Sequence, residues 1–212
     1  MDENAKKIVL PGDLICEAGE KKAGSHAFAR NGKIYSDVVG VFNDEGQWVN
    51  IVPLEGKYDA RQGDIIIGVV VAERFAGYDI NVNAVQPSFV PKIVLRTDLK
   101  VGDIVSGMVE SVSEVKEVSI SSVRPFLGGE LISVSPVKVP RMIGKNASMM
   151  EILKLGSASQ LVIGKNGFIW AKGGNIELLA RALKKIELEA HLNNLTNRIK
   201  EFIEGEKKQV KS

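Results

Sequence analysis

The sequence predicts a multidomain protein that is β-rich at first and mixed α+β at its C-terminal end. A Gly-Asp pair followed by an apolar, β-branched run occurs three times, at Gly12, Gly63 and Gly102. Such pairs mark turns that lead into strands. After Asn175 the apolar residues recur instead at helical spacing. These patterns predict a small N-terminal β domain, a five-stranded barrel, and a C-terminal α+β domain with an extended terminal helix.

Length and composition indicate a globular protein of two or three small domains. The chain has 212 residues, of which 44% are hydrophobic and 25% charged, whereas a typical domain has about 100 to 150 residues. The longest apolar run, Ile65–Ala72, is far shorter than the ~20 residues that span a bilayer. The N-terminus lacks a secretory signal pattern, and Cys16 has no second cysteine to pair with. We therefore expect a cytoplasmic protein with no membrane segment.

Net charge is unevenly distributed along the chain. Residues 129–212 carry 14 Lys and Arg against 8 Asp and Glu, a balance of +6. The totals of 28 and 26 leave 14 against 18, or −4, for residues 1–128. A basic C-terminal part favours a polyanionic partner. A solvated Lys-rich surface helix would give the same charge balance. Charge alone therefore does not distinguish a polyanion-binding surface from such a helix, and the motifs are needed to do so.

The first domain is predicted to span residues 1–57 and to consist of strands. Two segments rich in β-branched and aromatic residues, Lys33–Phe42 and Gln47–Leu54, flank the turn sequence Asn43–Gly46. The domain has no group of residues typical of a catalytic site. We expect its aromatic residues to lie in a core or an interface; these are Tyr35, Phe42 and Trp48.

The second domain, residues 58–123, is predicted to be a barrel of five short strands. The strand segments are 64–73, 77–85, 88–95, 103–112 and 115–121, with Pro91 at an expected sheet edge. Five strands in about 65 residues are typical of an OB-type barrel, whose exposed face binds oligonucleotides.

Aromatic and basic residues near the second and third barrel strands are candidates for RNA contact. The rings of Phe75, Tyr78 and Phe89 are predicted to stack on bases, although we expect at least one ring in the core and favour Phe89 for it. Basic side chains nearby in sequence are predicted to contact RNA as well; these are Arg74, Lys92 and Arg96.

The third domain, residues 124–205, carries two similar glycine turns. An apolar strand, a Gly-Lys-Asn loop that opens a helix, a hairpin and a long closing helix are expected to follow one another. This is the order of a KH domain, in which a GxxG loop clamps single-stranded nucleic acid. Arg141 and Lys145 lie at this loop and are predicted to contact RNA.

The first glycine turn departs from the GxxG pattern. It reads Gly144-Lys145-Asn146-Ala147, so alanine stands where the second glycine would be. Glycine lets the backbone approach a phosphate closely and adopt φ > 0, and alanine permits less of either. We therefore expect the barrel to contribute more to RNA binding than this loop.

The second glycine turn is predicted to be structural. Gly164, Asn166 and Gly167 lie between two apolar strand segments, and Asn-Gly is a strong signal for a tight hairpin because both residues tolerate φ > 0. On the following strand Phe168 and Trp170 share one face, so Trp170 is expected to pack between domains.

The C-terminal end is predicted to form two helices and a tail. The closing helix is predicted to begin after Asn175 as its N-cap, and a second apolar stripe from Leu195 to Ile203 predicts a terminal helix. Residues 206–212 are polar and are expected to be flexible.

Residue patterns for catalysis or metal binding are absent from the sequence. His26 and His191 are isolated, and no CxxC or HxxxH spacing exists to hold zinc. The sequence has neither a GxxxxGK[ST] loop nor a GxSxG elbow. We therefore predict a non-enzymatic protein without a cofactor or a metal.

Two sets of residues carry a resemblance to known families. The glycine and aromatic spacing of the barrel resembles the OB-fold RNA-binding domain repeated in the largest protein of the bacterial small ribosomal subunit; the residues are Gly68, Phe75, Gly77, Tyr78 and Phe89. A KH domain that opens with Ser-Pro-Val-Lys-Val-Pro-Arg-Met-Ile-Gly-Lys-Asn follows this barrel. Together with the GxNG turn, these features make nearly the whole chain similar to the RNA-binding cap subunit of the archaeal exosome, the ribosomal RNA-processing protein four family.

The resemblance implies a non-catalytic role in RNA degradation and processing. In that family three cap subunits sit on a hexameric ring of phosphorolytic subunits, and single-stranded RNA passes through the cap toward the ring for 3'–5' degradation. The N-terminal domain of the family makes much of the contact with the ring, so residues 1–57 are expected to dock there. The resemblance leaves open whether three identical copies or a mixture of subunits forms the cap.

Two other classes of protein combine similar motifs. A freestanding RNA-binding module of translation or ribosome assembly would carry similar domains. Polynucleotide phosphorylases also carry KH and OB domains, but in the opposite order and after catalytic domains for which this chain has no room. The absence of a zinc-ribbon pattern argues against the exosome's alternative cap subunit.

Overall fold

The chain forms two compact units, residues 1–56 and 57–212. The computed structural model describes residues 8–19, 21–95, 97–190, 192 and 194–209. Strands make up the first unit. The second unit contains a barrel followed by an α+β part.

The described residues of the N-terminal unit, 8–19 and 21–56, form seven short strands. They are β1 (Ile8–Val9), β2 (Leu14–Glu17), β3 (Lys22–Ala23), β4 (Ala27–Arg30), β5 (Lys33–Ser36), β6 (Gly40–Glu45) and β7 (Trp48–Pro53). One sheet has the order β1-β6-β7-β3 and the other the order β2-β5-β4. The predicted small N-terminal β domain is confirmed.

The segment predicted as one strand over Lys33–Phe42 is divided between β5 and β6. Ser36 is fully buried at the break, where its Oγ donates to the Val38 carbonyl at 2.6 Å and accepts from the Val38 N–H at 3.3 Å. These local bonds turn the chain and end β5. The next turn is also displaced, because Glu45 pairs with Trp48 across a two-residue loop that begins with Gly46 at φ 70°.

The three Gly-Asp pairs share one turn geometry, and a strand begins directly after each aspartate. Their glycines have φ values of 88°, 86° and 96°, as the third position of a type II turn requires. In each turn the aspartate carboxylate accepts a hydrogen bond from the backbone N–H three residues earlier, at 2.8 to 3.2 Å. The predicted strand starts are therefore confirmed.

Five antiparallel strands form a nearly closed barrel. They are β8 (Ile65–Glu73), β9 (Gly77–Asn81), β10 (Ser88–Pro91), β11 (Ile104–Val112) and β12 (Val118–Pro125). Their order is β10-β9-β8-β11-β12, and the Ser88 hydroxyl on β10 donates to the Val118 carbonyl on β12, across the gap between the two edges. The predicted five-stranded barrel is confirmed.

Two barrel strands are shorter than predicted. β9 ends at Asn81 because Asn83 adopts φ 59° and directs its side chain to the α+β part. β10 ends at Pro91, which is followed by a short 3-10 helix over Lys92–Val94.

The α+β part packs helices on a three-stranded sheet. Its elements are β13 (Glu130–Ser133), α1 (Val139–Ile143), α2 (Ser148–Ser157), β14 (Gln160–Ile163), β15 (Phe168–Lys172), α3 (Ile176–Glu189) and α4 (Leu195–Gln209). The sheet order is β13-β15-β14. The apolar segment directly before Gly144 was expected to be a strand but is helix α1, which Pro140 can begin because its ring already has a helical φ. The first strand of the α+β part, β13, lies earlier in the chain than this segment.

Two helices close the C-terminal end. The Asn175 side chain accepts a hydrogen bond from the Leu178 N–H at 2.8 Å, so the predicted N-cap of α3 is confirmed. The terminal helix α4 begins at Leu195 as predicted, but it continues to Gln209, so residues 206–209 of the expected tail are helical. No helix in the described part of the chain is long and apolar enough to cross a membrane.

Candidate nucleic-acid interface

The turn Gly164–Gly167 joins β14 to β15. The Gly164 N–H donates to the Phe168 carbonyl at 2.8 Å, which closes the hairpin. Gly167 has a φ of 83°, whereas Asn166 keeps a negative φ. The expectation that both residues have positive φ is therefore wrong. The turn conformation does not explain why Asn166 is buried.

The Asn166 side chain binds the backbone of the barrel. Its Nδ2 donates to the carbonyls of Ile67 at 2.6 Å and Val82 at 2.8 Å, and its Oδ1 accepts from the Ile67 N–H at 3.2 Å. The Asn83 side chain returns a bond of 2.6 Å to the Asn166 carbonyl. The Asn166 side chain thus satisfies three buried backbone groups on two barrel segments, which is how a fully buried amide is tolerated.

The neighbouring Lys165 adds two contacts to the start of β8. Its N–H donates to the Ile65 carbonyl at 3.0 Å, and its Nζ lies 2.7 Å from Asp64 Oδ1. Asp64 is buried and also accepts from the Tyr58 hydroxyl at 2.9 Å. Burial, reinforced by this bond to a carboxylate, raises the pKa of Tyr58, so Tyr58 remains a neutral donor.

A stacked aromatic pair lies beside the turn. The rings of Trp170 and Phe126 are 4.3 Å apart between centroids, and Trp170 Nε1 donates to the Gly128 carbonyl at 2.7 Å. Trp170 and Phe168 pack with Ile67 of the barrel, while the alternate residues of β15 face the α+β core. The prediction that Trp170 packs between domains is confirmed. Barrel and α+β part are therefore joined by a continuous apolar and hydrogen-bonded contact.

The hairpin between β8 and β9 and the 3-10 helix after β10 form one end of the barrel. The Arg74 N–H donates to the Gly77 carbonyl at 2.7 Å, and the Lys92 N–H donates to the Ala76 carbonyl at 3.0 Å. We call the surface formed by Arg74, Phe75, Phe89, Lys92 and Ile93 the barrel tip.

The three candidate aromatic rings differ in exposure. Phe75 is fully exposed at the hairpin turn, and Phe89 is 46% exposed, with its ring against Gly77. Tyr78 is only 1% exposed, and its hydroxyl accepts from the Leu99 N–H at 3.2 Å. The prediction that Tyr78 stacks on a base is wrong because its ring lies in the barrel core. Phe89, favoured for the core, is at the surface.

Each of the two described candidate cations at the barrel tip is paired with an acid. Arg74 binds Asp79 Oδ2 through Nη2 at 2.5 Å and Nε at 2.7 Å. Lys92 binds Glu73 at 2.6 Å and lies over the Tyr78 ring at 5.2 Å from its centroid. The hydrogen bond to Asp79 raises the pKa of Arg74, and the one to Glu73 raises that of Lys92. The third candidate, Arg96, lies outside the described residues.

Helix α1 and the loop after it carry the other two candidates. Arg141 and Lys145 are exposed, and the salt bridges among the described residues involve neither. No acidic residue occurs anywhere between Leu131 and Met150. We call Val139–Ala147 the loop segment; its cations are free of nearby carboxylates in sequence.

The backbone of the loop segment adopts unusual conformations. Gly144, Asn146 and Ala147 have φ values of 73°, 52° and 61°. The sequence suggested that alanine would restrict positive φ, but Ala147 adopts it, at a cost of about 1 kcal/mol or more for a residue with a Cβ. The positive φ that glycine favours is thus present at position 147 although the residue there is alanine.

Sequence reasoning missed the acids of the barrel tip. Glu73 and Asp79 neutralise the predicted cations, although they belong to β8 and β9 and carry no motif. The register of the β8–β9 hairpin, in which Glu73 pairs with Tyr78, was the signal that could have placed them. Within the described ranges, no group of His, Cys, Asp or Glu side chains could hold a metal ion.

Comparison with known proteins gives consistent similarities. Residues 6–55 match the family model described as the exosome RNA binding protein RRP4 N-terminal domain. The exosome complex component Rrp4 of Thermococcus kodakarensis is 32% identical over 97% of this chain and 88% of its own length. The protein of the same name from Methanosarcina acetivorans is 37% identical over 95% of this chain and 83% of its own. A crystal structure described as that of an exosome complex RNA-binding protein shares the fold, with a TM-score of 0.66 at 23% identity over 74% of this chain and 100% of that one.

Proposed function

Because the chain belongs to the family of the exosome complex component Rrp4, we propose that it is an RNA-binding subunit of an exosome complex. The observation that carries the proposal is identity of 32% to 37% with relatives of that name over 95% to 97% of this chain. The exposed aromatic and basic side chains of the barrel tip and the loop segment provide a surface on which single-stranded RNA can bind.

The finer role is that of a non-catalytic cap. Three copies sit on a hexameric ring of phosphorolytic subunits in the cytoplasm, stabilise the ring, and guide RNA into it for 3'–5' degradation and processing. Residues 1–57 dock on the ring, and their exposed apolar side chains support that role: Leu14, Phe28, Trp48 and Val52. The barrel at 58–123 and the KH domain at 124–205 contact RNA.

RNA contact involves the members of the candidate set that lie outside the barrel core. These are Arg74, Phe75 and Lys92 at the barrel tip, with Arg141 and Lys145 on the loop segment. Arg96, which lies outside the described residues, is proposed as an RNA contact from the sequence alone. Asn166 of the turn Gly164–Gly167 does not contact RNA, because it is fully buried against the barrel. Its role is to hold the two RNA-binding domains together.

Reconstitution with the ring tests the proposal. The full chain should co-elute with ring subunits in size-exclusion chromatography, and its addition should accelerate phosphate-dependent degradation of single-stranded RNA by the ring. The variant Phe75→Ala serves as a control, since it should retain ring binding while binding RNA more weakly. A chain that stays monomeric beside the ring would favour the freestanding module. Degradation of RNA by the purified chain alone, in the presence of phosphate, would instead indicate an enzyme.

A further inference from the structure

The barrel tip and the loop segment differ in how their cations are partnered, and this difference bears on which part of an RNA each one binds. We propose that the barrel tip binds unpaired bases by stacking, with little net electrostatic contribution, while Arg141 and Lys145 of the loop segment supply the salt-dependent contact with phosphates. The inference rests on the proposed RNA-binding function and assigns a separate chemistry to each surface.

The described charges of the barrel tip cancel. Arg74 is held by Asp79 through two nitrogen atoms, and Lys92 by Glu73, so two positive charges face two negative ones. A cation that keeps its own carboxylate presents no net charge to a phosphate. The loss of counterions that makes RNA binding salt-dependent is therefore small at this surface.

The apolar part of the barrel tip is correspondingly open. The Phe75 ring is fully exposed, and the Ile93 side chain is 92% exposed. Phe89 adds a half-exposed ring that lies against the backbone of Gly77, where a Cβ would come within 2.6 Å of the ring. Every base has a π-face that can stack on such rings whatever its identity. A duplex keeps those faces inside its own stack, so the tip selects single strands.

The ion pairs have a positioning role in this arrangement. The Arg74–Asp79 pair joins the hairpin turn to β9, and the Lys92–Glu73 pair joins the 3-10 helix to β8. Glu73 and Arg74, one member of each pair, directly precede Phe75 in the chain. The two pairs therefore hold the loop that presents the Phe75 ring.

The loop segment has the opposite character. Arg141 and Lys145 are exposed, none of the described salt bridges includes them, and the sequence around them lacks acids from residue 131 to 150. Each free cation that neutralises a phosphate of a single strand contributes about 0.7 to the slope of log K against log salt. The salt dependence of RNA binding should therefore come mainly from the loop segment.

Binding of a labelled single-stranded RNA oligonucleotide and of an abasic oligonucleotide of equal length, measured across a salt series, separates the two contributions. Phe75→Ala should weaken binding of the RNA by roughly 5- to 150-fold with an unchanged slope, and should leave binding of the abasic strand unchanged. Arg141→Gln and Lys145→Gln should each lower the slope by about 0.7 with both probes.

Removal of a whole ion pair tests the tip without creating an unpaired charge. The double variant Arg74→Gln with Asp79→Asn should leave the slope unchanged. The matched control removes Lys116 and Asp59, paired at 2.8 Å near the start of β8 at the other end of the barrel, by Lys116→Gln with Asp59→Asn. A slope lowered by about 0.7 in the tip double variant but not in the control would overturn the division of roles.

Two further outcomes separate the inference from the proposed function. RNA binding that is unaffected by Phe75→Ala would refute stacking at the tip and leave an RNA-binding subunit in place. A wild-type chain that binds neither probe at any salt concentration would refute the proposed function and the inference with it.

Discussion

Replacement of Asn166 by alanine should destabilise the C-terminal unit far more than its small change in volume suggests. The substitution removes three side-chain hydrogen bonds and leaves buried groups of Ile67 and Val82 without partners. A typical hydrogen bond contributes about 1 kcal/mol net, and an unpaired buried group costs about 1 to 3 kcal/mol. Since neighbouring terms are not additive, we expect the free energy of unfolding to fall by about 3 to 5 kcal/mol.

Urea denaturation followed by tryptophan fluorescence measures this change. The chain has two tryptophans, so a Trp48→Phe background leaves Trp170, which stacks on Phe126 at the contact with the barrel. With an m-value of about 2 kcal/mol/M, the transition midpoint should shift by roughly 2 M.

The chain provides its own control, because the tripeptide Gly-Lys-Asn occurs twice. Asn146 occupies the same place in the first turn but is exposed, with φ 52°, so Asn146→Ala should cost only about 1 kcal/mol for the left-handed conformation. If Asn166→Ala costs no more than Asn146→Ala, the hydrogen bonds to the barrel do not hold the two domains together and the reasoning is wrong.

Three further variants test other parts of the structure. Ala147→Gly should stabilise the chain by about 0.5 to 1 kcal/mol in urea denaturation, because relief of the left-handed strain exceeds the added entropy of the unfolded chain, and destabilisation would contradict the strain. Asp79→Asn alone should release Arg74 and steepen the salt dependence of RNA binding by about 0.7, whereas an unchanged slope would show that Arg74 cannot reach a phosphate. Deletion of Met1–Leu54 should abolish co-elution with the ring while circular dichroism shows a folded remainder, since the barrel and the α+β part have their own cores; retained ring binding would place the docking surface elsewhere.

Turns and strand starts could be predicted from the sequence because their causes are local. Each Gly-Asp turn depends on a glycine with positive φ and on an aspartate that binds a backbone N–H three residues away. The N-cap at Asn175 likewise acts within one helical turn. Four or five residues hold all the information that such features need.

The exposure of the aromatic rings could not be predicted in the same way. Tyr78 and Phe89 lie on adjacent strands, and which of them faces inward depends on strand register and on the closure of the barrel. The partners of Asn166 are separated from it by 84 to 99 residues. Asn-Gly is a sufficient signal for a hairpin, so nothing local indicated that the asparagine would bind another domain.

The buried contact at Asn166 also affects how the chain handles RNAs of different length. It fixes the barrel tip and the loop segment on one packed unit, so under the roles proposed for these two surfaces a strand long enough to reach both would be bound bivalently. Release from one surface leaves such a strand at a high effective concentration beside the other, which slows its escape. A short fragment reaches one surface only and gains no avidity. On that proposal, an amide that contacts no nucleotide favours retention of long substrates and departure of short products.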